Sequence, residues 1–60
     1  MDDQVIRVLV VDDSALMRNL VSKMIDSAPD MEVVGKAMNG VFALQKIERL
    51  DPDVIVLDLE

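Results

Sequence analysis

Apolar and polar positions along the chain alternate between two periods. Val5 to Val11, VIRVLVV, is apolar everywhere except Arg7. A short, valine-rich run of this kind suits a strand buried on both faces of a parallel sheet. From Ser14 the spacing changes. Leu16/Met17, Leu20/Val21 and Met24/Ile25 recur every four residues, with Arg18, Asn19, Ser22, Lys23 and Asp26 between them. This predicts a helix with one apolar stripe. The segment DSAPD ends it, because a proline pushes the residue before it out of the α region. MEVVGKA, residues 31 to 37, predicts a second strand over Glu32–Lys36, with Gly35 near its end and a turn at MNG. A second helix follows from about Gly40 to Leu50, with Phe42, Ala43, Leu44, Ile47 and Leu50 as inward positions, and Pro52 closes it. VIVLDLE, residues 54 to 60, is the third strand, with four aliphatics before Asp58.

The order β-α-β-α-β marks crossover units on a parallel sheet, so the fold class is α/β. Each crossover should be right-handed, and the pattern leaves open whether both helices lie on one face or on opposite faces. Sixty residues make one small domain, which buries only roughly 60% of the surface its unfolded chain exposes. The chain has no cysteine and no histidine, so disulfides, Cys/His metal sites and Ser-His-Asp or Cys-His nucleophile sets are all excluded. Phe42 is its one aromatic in a 52% hydrophobic composition, so the core must be aliphatic, and the five methionines are expected to fill gaps in it.

A net charge of −6 argues against nucleic acid or an anionic membrane surface as a direct partner. No apolar run approaches the length of about 20 residues that spans a bilayer. The acidic N-terminus MDDQVIR has no basic, apolar leader pattern. A cytoplasmic location is expected.

The candidate chemistry lies in the acids. The first strand runs into Asp12 and Asp13, and the third into Asp58. In parallel α/β sheets ligands bind at the carboxyl ends of the strands. If the first and third strands are neighbours, three carboxylates converge on one crevice, and their mutual repulsion is relieved by a divalent cation. Magnesium fits, as a hard ion that takes oxygen ligands and keeps waters for a phosphate to replace. Against this stands a plainer role, since Asp12, Asp13 and Ser14 each suit a helix N-cap and Asp58 suits the start of a loop. Arg18 and Lys23 are expected to be solvated. Two glycines in the whole chain provide no phosphate-cradling loop, which disfavours a nucleotide-binding reading.

Taken together, VLVVDDSALMR, APDMEVVGKAMNGVFAL and LDPDVIVLDLE resemble, in order and spacing, the N-terminal half of a response-regulator receiver domain. DDSALMR, PDMEVVGKAMNG and LDLE are most similar to the receiver of a chemotaxis protein-glutamate methylesterase. The resemblance implies a flavodoxin-like half-domain, with a three-stranded parallel sheet in the order 2-1-3. It implies that Asp58 accepts a phosphoryl group from a partner histidine kinase. It further implies that Asp13 ligates Mg2+ directly and Asp12 acts through a bound water, while Asp58 and the backbone carbonyl of Glu60 supply further ligands.

Receivers of this family have five strands and five helices in the strand order 2-1-3-4-5. The Met-Pro loop expected after Glu60, the switch Ser/Thr, the later lysine and any methylesterase domain are not in this sequence. Residues 1–60 are therefore read as a single partial receiver domain with no independent catalytic site. Its partners are expected to be the kinase, the C-terminal half or effector domain, and a second copy of the chain paired through the third strand. The alternative reading is a purely structural βαβαβ half-domain that folds by self-association and keeps no activity.

Overall fold

Three strands and two helices alternate as expected: β1 (Ile6–Asp12), α1 (Ala15–Asp26), β2 (Met31–Ala37), α2 (Gly40–Leu50) and β3 (Val54–Asp58). These come from a computed structural model, which describes residues 4–59. All strand pairs are parallel and the sheet order is β2-β1-β3, the order the family resemblance implied. β1 is the central strand, and Val8, Leu9, Val10 and Val11 are each exposed by 1% or less. A strand flanked on both edges and both faces has no polar side to show, which explains its unbroken aliphatic run.

Alternation along β1 divides the core into two layers. Leu9 and Val11 pack with Ala37, Ala43 and Ile47 on one face, beneath α2. Val8 and Val10 pack with Val21, Ile25, Met31, Val33 and Val56 on the other, beneath α1. The helices therefore lie on opposite faces, a point the periodicity left open. Both pack mainly on β1 and β2, while β3 contributes only Val56 to the layer beneath α1.

Local chemistry sets the element boundaries. Ser14 is the N-cap of α1, its side chain accepting the Met17 N–H. Asn39 does the same for α2, accepting the Phe42 N–H. At the end of α1 the Ser27 N–H returns to the Lys23 carbonyl, two residues before Pro29. β2 bulges between its pairings with Val8 and Leu9, and beyond the bulge Gly35 faces α2. A Cβ there would meet Leu50 Cδ1 at 2.7 Å, so the absent side chain lets α2 settle close to the sheet.

The helical stripes are less covered than their spacing predicts. In α1, Ser22 and Ile25 are buried and Val21 is half-buried, but Leu16, Met17, Leu20 and Met24 are exposed. Met24, at 70% exposure, is not core filler, and neither is Met17. In α2, Ala43 is buried, Ile47 and Leu50 are half-buried, and Phe42 and Leu44 face outward. A helix on a three-stranded sheet presents a contact face narrower than its apolar stripe. Ser22 takes a buried place because its hydroxyl donates to the Arg18 carbonyl, 2.7 Å away, which satisfies the polar atom locally.

Candidate functional site

Asp12 and Asp58 end neighbouring parallel strands, and the β1–β3 register pairs them directly. Val8↔Val54, Val10↔Val56 and Asp12↔Asp58 are in register, so alternation puts both acids on the face that carries Val8, Val10 and Val56. The register depends on a lock at the opposite end of the pair, built by Arg7. Its backbone N–H donates to Asp53 Oδ2 at 2.9 Å, and the Asp53 N–H returns to the Arg7 carbonyl at 2.8 Å. The guanidinium then donates to the Asp51 carbonyl at 2.8 Å and the Leu50 carbonyl at 2.7 Å. These carbonyls end α2, where a cation also complements the helix dipole. Asp51 makes the turn in the left-handed region, at φ 49, a conformation aspartate tolerates better than most residues. A shift of one residue in this lock would turn Asp58 to the other face.

At the site itself the neighbouring acids have separate jobs. Asp12 is buried at 3% exposure, and its Oδ1 accepts the Ser14 N–H at 2.9 Å. Asp13 and Asp58 are exposed. Ser14 caps α1, which leaves Asp13 out of that role. Arg18 is not solvated as its spacing suggested. It reaches back from α1 and donates from Nη1 to the Asp12 carbonyl at 2.7 Å, fixing the helix start to the strand end.

The strand ends thus bring Asp12 and Asp58 together with Asp13 one residue on. Among the described residues, however, no set of three His, Cys, Asp or Glu side chains is gathered closely enough to form a metal centre. The backbone supplies the convergence, and the side chains do not close it into a three-acid cluster. The donors available are oxygens alone, which matches a hard divalent cation. Glu60, whose carbonyl was expected to contribute, lies outside the described residues. Among the described residues, no helix is long and apolar enough to cross a membrane.

The structure pairs Asp12 with Asp58 and adds Arg7 and Arg18, to which the sequence alone assigned no structural role. The only available signal was Arg7 itself, a lone charge inside an otherwise apolar strand.

Comparison with known proteins places the chain in a family. A family model described as the response regulator receiver domain matches residues 8–60. The protein-glutamate methylesterase/protein-glutamine glutaminase of Treponema denticola is 69% identical over 55 residues, spanning 92% of this chain and 15% of that protein. The Thermotoga maritima protein of the same description is 58% identical over 60 residues, spanning 100% of this chain and 17% of its own length. Among solved structures, the response regulator domain of Thermotoga maritima CheB superposes with a TM-score of 0.90 at 59% identity. That match covers 93% of this chain and 42% of the solved one. The chain therefore spans less than half of that domain structure and about a sixth of the methylesterase relatives.

Proposed function

This chain belongs to the response regulator receiver domain family, and from that premise we propose that it carries the phosphoacceptor aspartate of a chemotaxis signalling protein. Residues 1–60 are read as a partial receiver domain, acting in the cytoplasm, in which Asp58 takes a phosphoryl group from a histidine kinase. The observation that carries the reading is the in-register pairing of Asp58 with the buried Asp12 at the carboxyl ends of β3 and β1. Asp58 is exposed, so a large donor protein can reach it.

In the proposed step a carboxylate oxygen of Asp58 attacks the phosphorus of a phosphohistidine. The P–N bond breaks as the O–P bond forms, and the imidazole leaves with the electron pair. Asp12, Asp13, Asp58 and the Glu60 carbonyl would hold Mg2+, which supplies charge neutralisation for the phosphoryl oxygens when bound. This chain's own residues then position the reaction. The Ser14 N–H fixes the Asp12 carboxylate, Arg18 holds the backbone at Asp12, and the Arg7 lock sets the register of Asp58. Phosphorylation adds charge and acceptor oxygens at the strand ends, a change that a neighbouring bistable element can read. Ester hydrolysis, the activity in the relatives' names, is assigned to none of these residues.

The second reading, a structural half-domain without activity, draws on the lack of a gathered three-acid set among the described residues. The uncovered β3 supports a companion proposal, that the 60-residue chain alone pairs β3 with that of a second copy. One experiment separates phosphoacceptor from structural unit. With Mg2+ and acetyl phosphate, the wild-type chain should gain one phosphoryl group by intact mass, and Asp58→Asn should gain none. Equal labelling of both, or labelling of neither, would leave the structural reading standing.

A further inference from the structure

Far fewer cations than acids are present, 6 against 12, yet three of the six line one cleft. Arg18 from α1, Lys36 from β2 and Lys46 from α2 surround an open cavity of about 410 Å3, together with Asn19, Met38 and Phe42. The cleft takes residues from helices on opposite faces of the sheet and from Lys36, Ala37 and Met38 at the end of β2, so it lies beside that outer strand. The edge is the free side of the sheet, since β2 pairs only with β1. Lower along the same strand Asp26 Oδ1 accepts the Val33 N–H at 2.9 Å, so the chain's own carboxylate already tends the first half of that edge. The second half, around Lys36 and Met38, has the cations instead.

These cations are not spent on neighbours. Among the described residues no hydrogen bond or ion pair is found for Lys36 or Lys46, and Arg18 donates from Nη1 to the Asp12 carbonyl. The Lys46 stem runs over Gly35, its Cδ 3.9 Å from where a Cβ would stand, and Lys46 lines the cleft beside Lys36. In a chain of net charge −6, three cations without carboxylate partners on one cleft are a concentrated local exception. Phe42 and Met38 add an apolar wall.

We infer that this cleft docks an extended acidic peptide segment of a partner protein, laid along the edge of β2. Its carboxylates meet Lys36, Lys46 and the free donors of Arg18, and one apolar side chain lies against Phe42 and Met38. Three cations on three separate elements match carboxylates spaced along a strand better than one compact anion. A free strand edge offers backbone groups to such a segment. The site is distinct from Asp58 and does not depend on the phosphoacceptor reading.

The test uses the protein and a fluorescein-labelled ten-residue peptide of Glu and Asp with one central Leu. Anisotropy should show saturable binding that weakens with added salt. Lys36→Glu/Lys46→Glu should weaken it about tenfold, since two partly screened charge contacts are reversed. Lys36→Glu alone, at an exposed position, should give a smaller loss without endangering the fold. Lys23→Glu/Arg49→Glu changes net charge equally but away from the cleft, and should leave affinity within about twofold. Equal losses in the two double variants, no saturable binding, or full displacement of the peptide by equimolar inorganic phosphate would each overturn the inference.

Discussion

β1 has two neighbours, and the protein treats them differently. On the β2 side a layer of helix covers each face, and the core contains Ala37, Val33 and Met31 as well as the four central residues of β1. On the β3 side only Val56 joins the layer beneath α1, and Val54, Ile55, Leu57 and Leu59 are all exposed. One flank is held by apolar burial. The other is held by ladder hydrogen bonds and by the polar lock at Arg7. The flank that carries the proposed phosphoacceptor is thus the one with the smaller hydrophobic contribution, and its geometry depends on directional bonds. That division suits a site which must answer to a change in charge.

The largest expected effect comes from removing what both flanks share. Leu9→Ala should cost about 2–5 kcal/mol, while a chain of this length has a total stability of roughly 3–9 kcal/mol. Urea unfolding followed by circular dichroism should find the variant largely unfolded or close to it, with both flanks lost together. Arg7→Ala sharpens the comparison. Loss of two charge-assisted bonds to the end of α2 should cost about 1–2 kcal/mol. Amide hydrogen exchange should quicken in β3 and at Asp51–Asp53 while β2 stays protected. Equal acceleration in β2 would show that the two flanks are one cooperative unit.

The smallest folding effect is expected at Leu57, which is 63% exposed. Leu57→Lys should change stability by less than about 0.5 kcal/mol. It should still reduce association of the 60-residue chain, because a charge on an uncovered strand opposes edge pairing. Sedimentation equilibrium should find a concentration-dependent dimer for the wild type and a shift toward monomer for the variant. A wild-type chain that stays monomeric at all concentrations would end the β3-pairing proposal.

Much of the fold was legible because two periods were clearly written. The five elements appear in their expected order, and α2 has its expected bounds, Gly40–Leu50. β1 lies one residue further along than its apolar run, because Asp12 still pairs with Asp58. β2 is one residue longer at each end than expected, because Met31 and Ala37 still pair with Ile6 and Val11. Periodicity identifies the apolar side of a helix but not how much of it a three-strand sheet can cover. For that reason Met17, Met24, Phe42 and Leu44 were expected inside and lie outside.

At the site, Asp12, Asp13 and Asp58 were legible because strand ends in parallel sheets have a known use. The pairing of Asp12 with Asp58 followed from the strand order. The roles of Arg7 and Arg18 were not legible, since each depends on a backbone carbonyl brought close only by the completed fold. Capping was settled by geometry: Ser14 takes the helix, and Asp12 turns its carboxylate to the Ser14 N–H.

The central position of β1 also sets a problem of timing during synthesis. The strand that every other strand needs is made first, and in a wholly parallel sheet no hairpin can shelter it early. At about 5–20 residues per second, the four apolar residues of β1 wait roughly one to five seconds for β2 to be translated. The Arg7 lock must wait longer still for Asp53. Until its neighbours are made VLVV is an apolar segment without a strand partner, and the acids that follow it are its nearest solubilising neighbours. Asp12 and Asp13 would then guard the nascent strand against premature association before they take up any place in the folded site.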